Sequence, residues 1–279
     1  MTEALKLIGL VPDFGNCSDK PLLYCHRQMK DIDIYFVSNQ SNEPVVAEPV
    51  FRVSGKIPEA WSATDGKIRK LPAWTSTEDG IRVPIRLDSY ESIFIVFRDK
   101  ADSNGISGNY EDNFPAFLRK SVIDSGWTAS FDTARRGPAA PVRIDSLYDL
   151  STDRNFNISH YSGTVTYSNG FHLDTIPAGQ RIYINLNELV AMAKVRINGT
   201  YVGGVWTPPY RVDITDAVRN GENDVEIEVT TTWKNRIVGD LNLPEEERHT
   251  WVAYQPWTAG EPLQKTGLIG PVTIETNTY

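Results

Sequence analysis

VRINGTYVGGVWTPPYRVDIT, Val195 to Thr215, decides the class of this fold. Asn198-Gly199 supplies the two positive φ angles of a type I′ turn, so VRINGTYVGG predicts a β-hairpin. Tyr210 to Thr215 alternates again and predicts a further strand. Between them Gly203-Gly204 leads into Trp206-Thr207-Pro208-Pro209-Tyr210. An aromatic-proline cluster of this kind either covers the end of a β-sandwich or faces a ligand or another domain. A buried Trp206 ring would belong to the first case.

Working outward, short alternating runs recur along the chain. Residues 31–40, 45–53, 80–88 and 92–98 predict strands, with Pro49 marking an edge or a bulge. Ile32, Ile34 and Phe36 alternate with Asp31, Asp33 and Tyr35, and Asp31 and Asp33 are expected on a polar outer face. Residues 126–132, 161–171, 181–187, 193–199, 210–215, 223–233 and 271–276 predict a second set. Residues 3–10 read as the tail of a helix, and a chain opening on such a tail suggests a cut from a larger region. Residues 145–150 predict a short helical turn with Asp145 as cap. Residues 99–115 are rich in Gly, Asn, Asp and Ser without periodicity and read as a linker or long surface loop. The expectation is an all-β protein of two β-sandwich domains, 1–115 and 116–279, the second a jelly roll.

The 279 residues carry a net charge of −8 and a pI of about 5.1. That balance argues against nucleic acid and anionic membranes as partners, because phosphate binding needs a basic surface. Neutral ligands such as sugars stay open. No apolar run reaches the ~20 residues of a membrane span, and the N-terminus lacks the pattern of a signal peptide. Cys17 and Cys25 read most simply as free thiols, since their spacing fits no zinc or redox motif. Asn16, Asn39, Asn157 and Asn198 open Asn-x-Ser/Thr triplets, which matter only in a eukaryotic secretory host.

Chemistry is sparse. His26, His160, His172 and His249 show no metal spacing, and there is no phosphate loop and no Gly-x-Ser-x-Gly elbow. Neither metal nor cofactor is expected. Glycoside hydrolysis needs two facing carboxylates. Glu111-Asp112, Asp145, Asp149, Asp153 and Glu245-Glu246-Glu247 are available, but the last three read as a solvated helix start. The aromatics say more. Trp206, Tyr210, Trp233, Trp251, Tyr254 and Trp257 fall within 52 residues. Such rings either stack on sugar faces or pack a core or domain interface.

VRINGTYVGGVWTPPYRVDITDAVRNGENDVEIEVTTTWKNRIVGD, residues 195–240, resembles the sugar-binding, galactose-binding-like β-sandwich of family 2-like glycoside hydrolases. It is closer still to the C-terminal region of family 106-type α-L-rhamnosidases. GLVPDF (9–14), CHRQMKDIDIYFVSN (25–39), FRVSGKIPEAW (51–61), SIFIVFR (92–98) and TGLIGP (266–271) extend that resemblance over nearly the whole chain. One departure is Gln28-Met29-Lys30, where the family pattern implies a Gly-containing turn.

The resemblance implies that the catalytic carboxylates and the metal belong to a (β/α) barrel. A barrel of ~250 residues does not fit ahead of Gly15. The expectation is therefore an accessory region without catalytic residues of its own. Its partners would be that barrel and a plant-type or rhamnose-containing glycan. The candidate carbohydrate-binding or interdomain residues are Trp206, Tyr210, Trp233, Asn235, Arg236, Trp251 and Trp257, with Asn235 and Arg236 expected on a strand. The parent enzyme would be a secreted or periplasmic bacterial protein. A complete small hydrolase using Glu111 or Glu245 to Glu247, and a free-standing carbohydrate-binding module, are the alternatives.

Overall fold

Alternation of apolar and polar residues at strand period drives both halves of the molecule into face-to-face antiparallel sheets. The computed structural model describes residues 9–15, 18, 20–175 and 178–278. The helix tail expected at 3–10 and Cys17 lie largely or wholly outside them. Cys25 is a free, exposed thiol. The chain divides into two units, Met1–Ala116 and Phe117–Tyr279.

In the first unit one five-stranded sheet has the order Leu22–Met29, Ile32–Asn39, Ser92–Lys100, Lys56–Trp61, Ile68–Lys70. A second runs Phe14–Gly15, Val50–Phe51, Gly80–Arg82, Trp74–Thr77, Gly105–Ile106. Ile85–Leu87 pairs with Val45–Ala47. Tyr35, Val37, Ile95 and Phe97 of the first sheet share a core with Phe14, Phe51, Trp74 and Ile81 of the second. This reverses the expected face of strand Ile32–Asn39. Tyr35 and Val37 point inward, and Asp33 is only 3% exposed rather than on a polar outer face.

Asp33 is buried because its neighbours neutralise it. Lys56 Nζ lies 2.7 Å from its carboxylate, Gln28 Nε2 donates at 2.9 Å, and His26 Nε2 is 3.2 Å away. His26 Nδ1 meets Asp13 at 3.0 Å, and Arg52 holds the same Asp13 oxygen at 2.8 Å. Burial works to raise both aspartates, but Arg52 and His26 at Asp13, and Lys56, Gln28 and His26 at Asp33, outweigh it and hold both below the usual carboxylate range. Gln28, the departure from the family pattern, thus serves this network, and the turn is made by Lys30-Asp31.

Residues 99–115 are not a linker. They finish strand Ser92–Lys100, contribute strand Gly105–Ile106, and close on the helical turn Tyr110–Asn113 with a capping box between Asn109 and Asp112. Asn113 is fully buried. It accepts from Ala73 N at 2.9 Å and donates to Ala73 O at 2.7 Å and Pro84 O at 2.8 Å. One buried amide thereby satisfies three backbone groups that no sheet ladder reaches.

The second unit is a jelly-roll sandwich. Its four-stranded sheet runs Leu118–Ile123, Val272–Asn277, Arg181–Asn185, Arg211–Asp213. The facing six-stranded sheet runs Val142–Ile144, Trp127–Phe131, Thr164–Leu173, Gly221–Thr230, Met192–Ile197, Thr200–Val205. Ile182, Ile184, Val272 and Ile274 of one meet Trp127, Val165, Tyr167, Val195, Ile227 and Val229 of the other in a single core. The hairpin forms as the sequence predicts. Ile197 pairs with Thr200 across Asn198-Gly199, whose φ angles are 50° and 78°. The expected helical turn near 145–150 is displaced. A 3-10 turn covers Leu150–Thr152, and Asp149 rather than Asp145 caps it by accepting from Ser151 N.

Candidate functional site

One end of the six-stranded sheet collects the aromatic residues. Thr164 and Met192 both pair with Thr230, and Ala193 pairs with Val205. Trp206, one residue on, therefore emerges beside Met192 on the outer face. Trp206 is 57% exposed, so the ring does not cover the sandwich end as a buried plug. Tyr210 takes the inward role instead. It is half-buried against the core, its carbonyl accepts from Leu186 N at 2.8 Å, and burial, then Glu188, pushes its phenol pKa up.

Three residues beyond Thr230, Trp233 opens the helix Lys234–Leu241. Asn235 and Arg236 stand on this helix, not on a strand. The polar residues of the segment are buried rather than solvated, which removes the alternation a sequence reader relies on. Trp233 itself stays half-exposed, with the Arg135 guanidinium 5.2 Å from its ring. Such a cation over an indole face is attractive but partly wet.

The helix works as a clamp on the loop that follows it. Asn235 Nδ2 donates to Gln264 O at 2.7 Å, and Gln264 N donates back to Asn235 Oδ1 at 2.8 Å. Asp240 Oδ2 accepts from His249 N at 2.9 Å and from Thr250 N and Oγ1 at 2.8 Å. Asn242 Nδ2 reaches Ala259 O at 3.0 Å. The segment bearing Trp251, Tyr254 and Trp257 is thus tied at both ends and once in the middle. Trp251 and Tyr254 are over 80% exposed, at 85% and 81%, while Trp257 is half-buried.

Arg236 and Asp240 form a buried pair one helical turn apart, 2.7 Å between Nη2 and Oδ1, both under 5% exposed at the side chain. The contact is close without hydrogen-bond alignment, and Nε and Nη1 have no hydrogen-bond partner among the described residues. The Phe156 ring, 5.6 Å away, faces the guanidinium instead. Burial lowers the Arg236 pKa, with Asp240 opposing. At Asp240 burial pulls upward, but Thr250, Arg236 and His249 prevail and the carboxyl is held below its usual range. Both groups stay charged, because an arginine has ample margin above neutral pH. Arg236 therefore orders the helix; it presents no donor to solvent.

Of the seven candidate residues, the structure brings Trp206 and Trp233 to one sheet end and hangs Trp251 and Trp257 on a loop clamped there by Asn235. Tyr210 and Arg236 face inward. Asp240, Gln264 and Ser162, whose hydroxyl accepts from Arg236 N at 3.3 Å, were not marked by sequence reasoning. The i, i+4 spacing of Arg236 and Asp240 is the signal that would have revealed the helix. Of the candidate acids, Glu111 lies in an exposed first turn and Glu245–Glu247 form an exposed 3-10 turn, while Asp149 and Asp153 are half-buried acceptors within their own turns. Among the described residues no group of three or more His, Cys, Asp or Glu could hold a metal ion. Among the described residues no helix is long and apolar enough to cross a membrane.

Residues 1–75 match the α-L-rhamnosidase model of glycoside hydrolase family 106. Residues 144–264 match the galactose-binding domain-like model of glycosyl hydrolase family 2. The structure of a rhamnosidase from Novosphingobium sp. PP1Y is similar over 99% of this chain, with a TM-score of 0.87 and 31% identity. The chain spans 26% of that rhamnosidase. A putative beta-glucuronidase of Formosa agariphila is 32% identical over 158 residues, 48% of this chain and 14% of the relative. The chain thus joins a rhamnosidase-like N-terminal segment to a galactose-binding-like β-sandwich and matches a fragment of a larger enzyme.

Proposed function

We propose that this chain is an accessory, non-barrel region of an α-L-rhamnosidase-like glycoside hydrolase. In this reading it supports a catalytic barrel carried elsewhere in the enzyme and contributes to carbohydrate binding. The observation that carries the reading is the match over almost the whole chain to about a quarter of a solved rhamnosidase. The exposed set Trp206, Trp233 and Trp251 supports it. Large apolar rings held out at one sheet end and on a braced loop are the residues that a sugar face or a neighbouring domain covers. Asn235 and Arg236 contribute by bracing, and Tyr210 by anchoring the hairpin's exit. A secreted or periplasmic bacterial setting for the enzyme is part of the same reading.

The test is catalytic. The purified chain should release no aryl alcohol from an aryl α-L-rhamnoside, because a rate enhancement of ~10⁶-fold or more needs a positioned acid and base. Turnover that copurifies with the chain and disappears in Glu111→Gln or Glu246→Gln would overturn the proposal in favour of a complete small hydrolase. Tight retention by plant polysaccharides in affinity electrophoresis, abolished by Trp251→Ala, would favour a free-standing binding module.

A further inference from the structure

The five-stranded sheet that begins with Leu22–Met29 turns one face to the core of the first unit, through Tyr35, Val37, Ile95 and Phe97. An antiparallel sheet packed on one side is ordinarily polar on the other. This one is not. Cys25 pairs with Phe36, Phe36 with Phe94, Phe94 with Trp61 and Trp61 with Ile68. These residues alternate with the inward ones, so a single cross-strand row of apolar side chains spans all five strands on the outer face. The Phe36 and Phe94 ring centroids are 5.1 Å apart. None of the five is buried, and Ile68 at the far edge is 51% exposed. At the near edge Leu23 and Met29 extend the same face, at 58% and 57% exposed.

The next row is Arg27, Ile34, Val96, Glu59 and Lys70. Its one acid is neutralised within the face. Glu59, 2% exposed, accepts from Trp61 Nε1 at 2.8 Å and from Arg98 Nε at 2.9 Å. At the rim Lys70 meets Asp99 at 3.3 Å. Arg27 donates to a carbonyl, His26 O, at 3.0 Å. The face therefore presents rings and aliphatic groups at its centre and an arginine at its edge, the composition of an interface core. Contiguous apolar surface of this kind marks a protein contact.

We propose that this face is a packing interface, occupied by an apolar helix or sheet layer from the part of the rhamnosidase-like enzyme outside this chain, with an acid set against Arg27. The sheet is then the middle of three layers, which is what two apolar faces require. The proposal rests on the accessory reading above. Two observations choose the occupant. The solved rhamnosidase matches over 99% of this chain, but the chain spans 26% of it, so about three quarters of that enzyme lies outside the match. Residues 1–75, which match the rhamnosidase family model, supply four of the row's five residues, all but Phe94. The row itself carries no hydroxyl, amide or charge with which to orient a small polar ligand.

The test compares photochemical carbene labelling of the full chain alone with that of the same chain grafted in place of the matching part of the Novosphingobium rhamnosidase. Phe36, Phe94 and Trp61 should label in the chain alone and lose that labelling in the graft. Phe94→Lys should lower the thermal midpoint of the graft more than that of the chain alone, because the ring lies outside the core of its own unit. Where the graft does not assemble, the intact rhamnosidase decides, through the strands aligned with Ile32–Asn39 and Ser92–Lys100, which should be shielded on both faces. Labelling that stays equal in chain and enzyme overturns the proposal. So does a dimer of the chain alone that Phe94→Lys dissociates, which would give the face to a second copy. The accessory role survives either result, because it stands or falls on the aryl rhamnoside assay.

Discussion

Arg236 and Asp240 show how a charge pair can be indispensable without being a source of net stability. Desolvating two ions costs several kcal/mol each, and their attraction roughly returns it. Removing one partner is a different matter. Asp240→Asn would leave the Arg236 guanidinium buried with an aromatic ring as its main neighbour. It would also weaken the carboxylate's hold on His249 and Thr250. The expected loss is about 3–5 kcal/mol, read from urea unfolding of the full chain at neutral pH. Replacing both partners together, Arg236→Met with Asp240→Leu, should recover only the part due to the stranded guanidinium, because the donors of His249 and Thr250 stay unpaired. A single variant that unfolds at the wild-type midpoint would show that the pair is solvated. Trp206 teaches the converse lesson. Its aromatic-proline setting suggested a buried plug, yet the ring is at the surface, because the neighbouring Tyr210 already fills the position against the core.

At the scale of elements, strands with one buried face were legible and the rest were not. Thr164–Leu173 and Gly221–Thr230 alternate cleanly because one side meets the core and the other water. Leu22–Met29 is an edge strand exposed at most positions, so no alternation betrays it. Leu118–Ile123 is likewise exposed almost throughout. The helix Lys234–Leu241 hides for the opposite reason: six successive residues, Asn235 to Asp240, are buried, and half of them are polar or charged. The candidate site inherits this division. Its aromatic residues could be named from composition, whereas the brace that holds them depends on backbone partners that are distant in sequence. Asn235→Ala tests the brace. The variant loses both bonds to Gln264, and a typical hydrogen bond contributes roughly 0.5–1.5 kcal/mol. Hydrogen exchange at Gln264 should accelerate, and proteolysis should shift toward residues 251–260, while amides of Gly221–Thr230 keep their protection. Uniform acceleration across the second unit would mean that the helix and sheet open together.

For the molecule as a whole, acid should act first through the Asp13–His26–Asp33 network of the first unit. Both aspartates are held below their usual range in the folded state. Their contribution is therefore complete above the unfolded aspartate value near ~3.9 and is lost as pH falls through the folded values. Urea midpoints of the first unit should hold from neutral pH to about pH 4.5 and then drop. Asp33→Asn should lower the neutral midpoint and flatten the acid limb, and an unchanged limb would place the sensitivity elsewhere. The second unit has a different vulnerability, which lies in its strand order. Val272–Asn277 is buried along its whole length between Leu118–Ile123 and Arg181–Asn185. The strand of this unit that comes latest in sequence is therefore an interior member of its sheet. A nascent chain paused before residue 272 presents two strands with nothing between them, so the unit must wait, sheltered or bound, until Val272–Asn277 has emerged. A stop codon just ahead of Val272 would undo the sandwich encoded before it as well as the strand encoded after it.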